Sequence, residues 1–180
     1  MTAKTLADRQ TRDEFRNAVA AIAQKEVGYI EGRGNNTKYG AWFGLNFHAW
    51  CAMFVSHVYD QAAKQVGCEN PLRGVQTSKG FAGVTESFRK MKQRGWALGP
   101  NELPMIGDIV CWDHDEVAGG PGHTGIVVAV ASNGYTTIEG NTNTAYSRTG
   151  GMVCKHEHRI MDQKHGVLLG FVRPTRRYGR

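Results

Sequence analysis

The run His123-Thr-Gly-Ile-Val-Val-Ala-Val-Ala-Ser-Asn-Gly-Tyr-Thr-Thr-Ile-Glu139 reads as two β-strands joined by a tight turn. β-Branched residues fill both arms, and Ser132-Asn-Gly134 offers a three-residue loop with glycine in the left-handed position. Ideal pairing across that loop sets His123 opposite Asn143. It puts Glu139, Asn141 and Asn143 on the sheet face of His123, with the two asparagines nearer to it than Glu139. A bulge or strong twist is needed to bring Glu139 in. The purely apolar run Ile126–Ala131 lies in this hairpin and has six residues, far short of the ~20 that a membrane-spanning helix needs.

Working outward, period two continues at Asp108–Trp112, Met152–His158 and Val167–Val172. Before Pro104 the period is helical. Thr11-Arg-Asp-Glu14 has the form of a capping box, and Phe15, Val19, Ile22, Ala23 and Val27 follow at helical spacing, which predicts a helix over Arg12–Val27. Cys51, Phe54, Val55, Val58, Tyr59 and Ala62 form a second helical stripe, stopped by Gly67. A third helix is predicted over Thr85–Arg94, ended by Gly95. Helices first and strands afterwards, without βαβ alternation, predict an α+β domain with N-terminal helices packed on an antiparallel β-sheet. Glu31–Gly40 reads as a Gly/Asn-rich loop. Tyr39, Trp42, Phe43, Phe47 and Trp50 cluster around its end, as a core lid or a cleft wall. The cleft wall is preferred, which makes Tyr39, Trp42 and Trp50 the expected substrate contacts.

The chain has 180 residues, 41% hydrophobic and 21% charged, which fits one globular domain and excludes disordered, collagen-like and coiled-coil classes. A single domain over about 12–172 with a short basic tail at 173–180 is expected, leaving no room for a second domain. Of the net charge of +6, +5 falls in the last 26 residues. That end either meets an anionic partner or is a solvated terminus. The first ten residues hold no apolar core of a signal peptide, so none is expected. Four cysteines without a CxxC pair are expected as reduced thiols.

Cys51 falls in the first turn of its helix, where unpaired N–H groups and the helix dipole favour a thiolate. It is either a nucleophile or a small buried residue under the stripe. His123, opening a strand after Gly119-Gly-Pro-Gly122, is the candidate imidazole partner. His57 lies six residues along the helix on nearly the opposite face, and His48 lies in the loop. A rival chemistry is zinc: Cys154, His156 and His158 alternate on one strand face, and Cys111 or His114 would supply a fourth ligand. The aromatics and the basic end also suit a non-catalytic wall- or nucleic-acid-binding module, although no nucleic-acid motif is present.

Three segments taken together resemble a known family. They are Asn36-Thr-Lys-Tyr-Gly-Ala-Trp-Phe-Gly44 running into Ala49-Trp-Cys-Ala-Met-Phe-Val-Ser56, then Pro104-Met-Ile-Gly-Asp-Ile-Val110, then Gly122-His-Thr-Gly-Ile-Val-Val128 with Thr137-Ile-Glu-Gly-Asn141. In that order they resemble the CHAP family of cysteine, histidine-dependent amidohydrolases and peptidases, a papain-like branch, over roughly Glu14–Val172. The resemblance implies a papain-like fold, with Cys51 as nucleophile and His123 as general base. It implies Glu139 as the group that orients the histidine, with Asn141 nearby to share that task. It further implies cleavage of peptidoglycan, as an N-acetylmuramoyl-L-alanine amidase or as an endopeptidase, without a cofactor. Some members hold calcium in an acidic loop before the nucleophile, but Glu31–Trp50 carries one acid, Glu31, and no Asp, so no metal is expected there. The expected partners are peptidoglycan and, through the basic end, anionic wall polymers, but not nucleic acid. A monomeric phage endolysin is expected, made in the host cytoplasm and released through a holin pore.

Overall fold

The computed structural model describes residues 3–113, 122–147, 150–159 and 166–174, with side chains from residue 9 onward. Four helices precede most of the sheet: α1 (Ala3–Lys25), α2 (Lys38–Phe43), α3 (Cys51–Val66) and α4 (Val84–Gln93). The strands are β1 (Ala97–Leu98), β2 (Ile109–Asp113), β3 (Gly122–Ala131), β4 (Gly134–Thr142), β5 (Met152–Arg159) and β6 (Val167–Val172). They form one antiparallel sheet in the order β1-β6-β2-β3-β4-β5. The α+β class and the five longer strands agree with the sequence reading.

Two helices differ from it. α1 starts well before Thr11, so the capping-box pattern lies inside the helix. Residues 3–10 are mostly good helix formers (Ala, Lys, Leu, Arg, Gln), and their propensity carries the helix through the pattern. α2 occupies ground read as loop and aromatic approach. Thr37 caps it, its side chain accepting from the Gly40 N–H at 2.9 Å, and Gly44 ends it at φ 91°. Among the described residues no helix is long and apolar enough to cross a membrane.

The hairpin register also differs. Ala131 pairs with Gly134, so the loop is Ser132-Asn133, one residue shorter than read. Val128 bulges between the pairs Val127↔Thr137 and Ala129↔Thr136. Together these slide β4 by two residues along β3 and set Gly125 opposite Glu139. Glu139 thereby comes within side-chain reach of His123.

The sheet has two buried faces. Ile109, Cys111, Ile126 and Ile138 join the helices in the main core. Val110, Trp112, Val127, Tyr135, Leu168 and Phe171 form a second apolar cluster on the other face. In a flat sheet β4 and β6, like β2 and β5, would lie three strand spacings apart, roughly 14 Å. Yet the Tyr135 and Phe171 rings lie 5.1 Å apart and those of Trp112 and His158 5.2 Å apart. The sheet therefore coils strongly on itself, and its concave face is closed by its own side chains. Fully buried Asp108 ties the layers together through Arg16 of α1 at 3.3 Å and Arg173, just after β6, at 2.8 Å. The first residue of the basic tail is thus turned inward; residues 175–180 lie outside the described residues.

Candidate active site

The site begins at the start of α3. Trp50 stands at the N-cap position and supplies no side-chain cap to the first turn. Its indole is instead buried, stacked on Tyr39 with centroids 5.2 Å apart, and donates from Nε1 to Glu31 Oε2 at 2.6 Å. Gly140 of β4 lies against it: a Cβ there would stand 2.6 Å from the Trp50 ring and 2.8 Å from Phe54. The residue next to Cys51 is thereby locked, and it leaves the first-turn N–H groups of α3 without a side-chain cap.

The same facts correct one expectation. Tyr39 and Trp50 are both 0% exposed, so neither offers a ring face to a substrate; they are the core lid rather than the cleft wall. Hydrophobic burial took these rings because α2 folds them against α3. Trp42 stays half-buried, with the Lys79 ammonium 5.6 Å over its ring.

Cys51 is buried and its side chain is close enough to His123 to raise the pKa of that ring. His123, near the start of β3, is 1% exposed and stacks on Trp112 at 5.8 Å. Its Nε2 lies 2.9 Å from Glu139 Oε2, which leaves Nδ1 for the sulfur. Burial pulls the imidazole toward its neutral form, but the Cys51 thiol and the Glu139 carboxylate outweigh it and hold the ring up at about 10. The ring is therefore cationic at neutral pH, the setting in which a cysteine serves as nucleophile. Burial pushes the thiols of Cys68 and Cys154 up, and that of Cys111 up to about 12, so these stay protonated.

Glu139 is 0% exposed. Its Oε1 accepts from Thr137 Oγ1 at 2.5 Å and lies 3.0 Å from His158 Nε2. Gly125 makes room for it, since a Cβ there would fall 2.5 Å from Glu139 Cγ. Of the two residues expected to orient His123, Glu139 is the one on Nε2. Asn141 is buried two residues on, at φ 58°, where the pairing of β4 with β5 is irregular.

The remaining histidines and cysteines are placed elsewhere. His57 packs between Tyr39 and Trp42, and His48 is exposed. Cys154, His156 and His158 do share a strand face, but His158 bonds Glu139 and Thr137, and His156 lies 3.3 Å from Thr142 Oγ1. Cys111 faces the opposite core, against Thr124. Among the described residues no group of three or more His, Cys, Asp and Glu side chains is placed to hold a metal ion; His114, and with it Gly119–Pro121, lies outside them. Thr137 and His158 are the site neighbours that sequence reasoning did not assign. The alternation of Cys154, His156 and His158 was their signal, read there as a ligand face.

A family model described as the CHAP domain matches residues 42–141, a span that includes Cys51, His123, Glu139 and Asn141. No curated protein matches the chain. Among solved structures, one described as "The crystal structure of Ly7917" is similar in fold, with a TM-score of 0.54 and 14% identity. That similarity covers 89% of this chain and 62% of the other, so this chain spans less than two thirds of that one. With more than half of its length and all four candidate site residues inside the match, the chain belongs to the CHAP domain family, a family of papain-like cysteine amidases and peptidases.

Proposed function

We propose that this protein is a peptidoglycan hydrolase of the endolysin type that opens an amide bond of the bacterial wall through a thioester on Cys51. The observation that carries this is His123, paired at 2.9 Å with the buried Glu139 and shifted by the nearby Cys51, which opens α3 without a side-chain cap. The sulfur attacks the amide carbonyl carbon, and the oxyanion accepts from first-turn N–H groups of α3. His123 gives its proton to the leaving nitrogen as the C–N bond breaks. Water then attacks the thioester, His123 takes its proton, and the acid product leaves the sulfur. This chemistry calls for no cofactor.

The test is digestion of purified walls by the wild type and by Cys51→Ala, with mass spectrometry of the soluble fragments. The wild type should release fragments with new amino termini, and the variant none while still binding walls. Equal digestion by Cys51→Ala would defeat the proposal. The termini themselves separate the two cleavages: stem peptides freed from muramic acid report an amidase, and cuts within the peptide an endopeptidase. The proposal extends to a monomer acting after release through a holin pore, with Trp42 at the substrate and the basic end on anionic wall polymers. Cytoplasmic expression with and without a holin checks the release route, because lysis should need both proteins.

A further inference from the structure

We propose that His158 is a positioning residue of this site: it holds Glu139 ionised and aimed, so that the working chain runs Cys51–His123–Glu139–His158. The inference rests on the assignment of Cys51 as nucleophile. Three hydrogen-bonding groups converge on the fully buried Glu139 carboxylate. His123 Nε2 takes Oε2 at 2.9 Å, while Thr137 Oγ1 and His158 Nε2 meet Oε1 at 2.5 and 3.0 Å. His158 Nε2 also lies 2.9 Å from Thr137 Oγ1. The threonine hydroxyl has one proton and gives it to Oε1. Neither that hydroxyl nor an ionised carboxylate then has a hydrogen left to give, so His158 Nε2 must be the N–H donor.

The ring cannot easily turn away. It stacks on Tyr135 at 5.1 Å and lies tilted against Trp112 at 5.2 Å, with Tyr146 edge-on at 5.8 Å. Trp112 also stacks on His123, so a single indole braces the rings on both sides of the carboxylate. An apolar ring would satisfy this packing equally well. What the histidine adds is a donor on a buried anion, which water cannot reach to solvate.

Among the described residues, the titratable and charged groups around this carboxylate are few. From β3 comes His123, with Cys51 of α3 behind it. From β5 come His158 and Cys154, with the His156 ring 6.3 Å from that of His158. From β4 comes Tyr135, from the following loop Tyr146, and the cavity beyond His158 is lined also by Glu157 and Arg159. None of these replaces the Nε2–H on Oε1. Removing that donor favours protonation of Glu139, and a neutral Glu139 no longer holds a proton on His123.

The experiment compares His158→Phe, which keeps the ring stack, with His158→Gln, which restores an amide donor. Two pH profiles are read: kcat/KM on purified walls, and the iodoacetamide alkylation rate at Cys51, resolved by peptide mass spectrometry from the other three cysteines. His158→Phe should move the acid limb of both profiles up by about one pH unit, so that on that limb kcat/KM and the alkylation rate fall about tenfold. His158→Gln should return most of the shift. Profiles of folded His158→Phe that superimpose on the wild type overturn the proposal. Should that variant not fold, nitrogen NMR of the wild-type ring decides instead: a neutral His158 with its proton on Nδ1 overturns it, and one on Nε2 supports it. Walls left intact by the wild type would sink the substrate assignment alone, because the alkylation profile needs no substrate.

Discussion

At the scale of the residue, the chemistry turns on the proton of His123. Burial drives protons off an imidazole, yet the thiol and carboxylate against the ring hold it cationic up to about pH 10. Its unfolded value is about 6.5. With the folded value raised, the stability it contributes is complete below about pH 6.5 and is lost as pH rises through about 10. In the proposed mechanism the same proton goes to the leaving nitrogen, so the alkaline limb of kcat should fall near pH 10 rather than near the ordinary histidine value. Glu139→Gln keeps the shape but removes the charge. It should bring that limb down toward neutrality and lower kcat by about 10²–10⁴-fold. Rate profiles of both proteins check this, and a limb that stays in place would show that Glu139 does not govern the charge on the ring.

At the scale of the element, the seam between α3 and the β3–β4 hairpin shows what was legible and why. The α3 stripe and the strand alternation announce themselves because each buries one face. The bulge at Val128 sits inside the apolar run Ile126–Ala131, where every neighbour is equally hydrophobic, so no change of composition marks it. The six residues of α2 are too few for a periodic stripe, and so Tyr39 and Trp50 read as cleft when they are core. Cys51 and His123 were visible as residue types in place. Glu139 needed the family resemblance because its register depended on the unseen bulge. Two glycines hold the seam closed. Gly140→Ala would drive a methyl to 2.6 Å from the Trp50 ring, and should cost about 1–3 kcal/mol in urea unfolding. Gly125→Ala would press on Glu139 Cγ at 2.5 Å, and should reduce kcat more than its loss of stability explains. Activity of Gly125→Ala equal to wild type, measured well below the unfolding midpoint, would rule out that pressure on the site.

At the scale of the whole molecule, both ends of the described chain are pinned to one anion. The antiparallel pairing of β6 with β2 sets the end of β6 beside the start of β2, and Arg16 of α1 reaches that junction. Asp108 at that junction is 0% exposed and receives Arg16 from one side and Arg173 from the other, together with the Met105 N–H at 2.7 Å. A buried carboxylate with two guanidinium partners is an asymmetric arrangement. Removing Arg173, whose side chain is 24% exposed, leaves Asp108 with Arg16 and the amide and lets water into the gap. Removing Asp108 instead strands two cations, one of them almost wholly buried. Asp108→Ala should therefore cost about 3–5 kcal/mol, and Arg173→Ala about 1–2 kcal/mol. Urea titrations of both variants test the ordering. The m-value of Arg173→Ala should match the wild type if the molecule still unfolds as a unit. Equal losses in the two variants would mean that the arginines, and not the aspartate between them, hold α1 to the sheet.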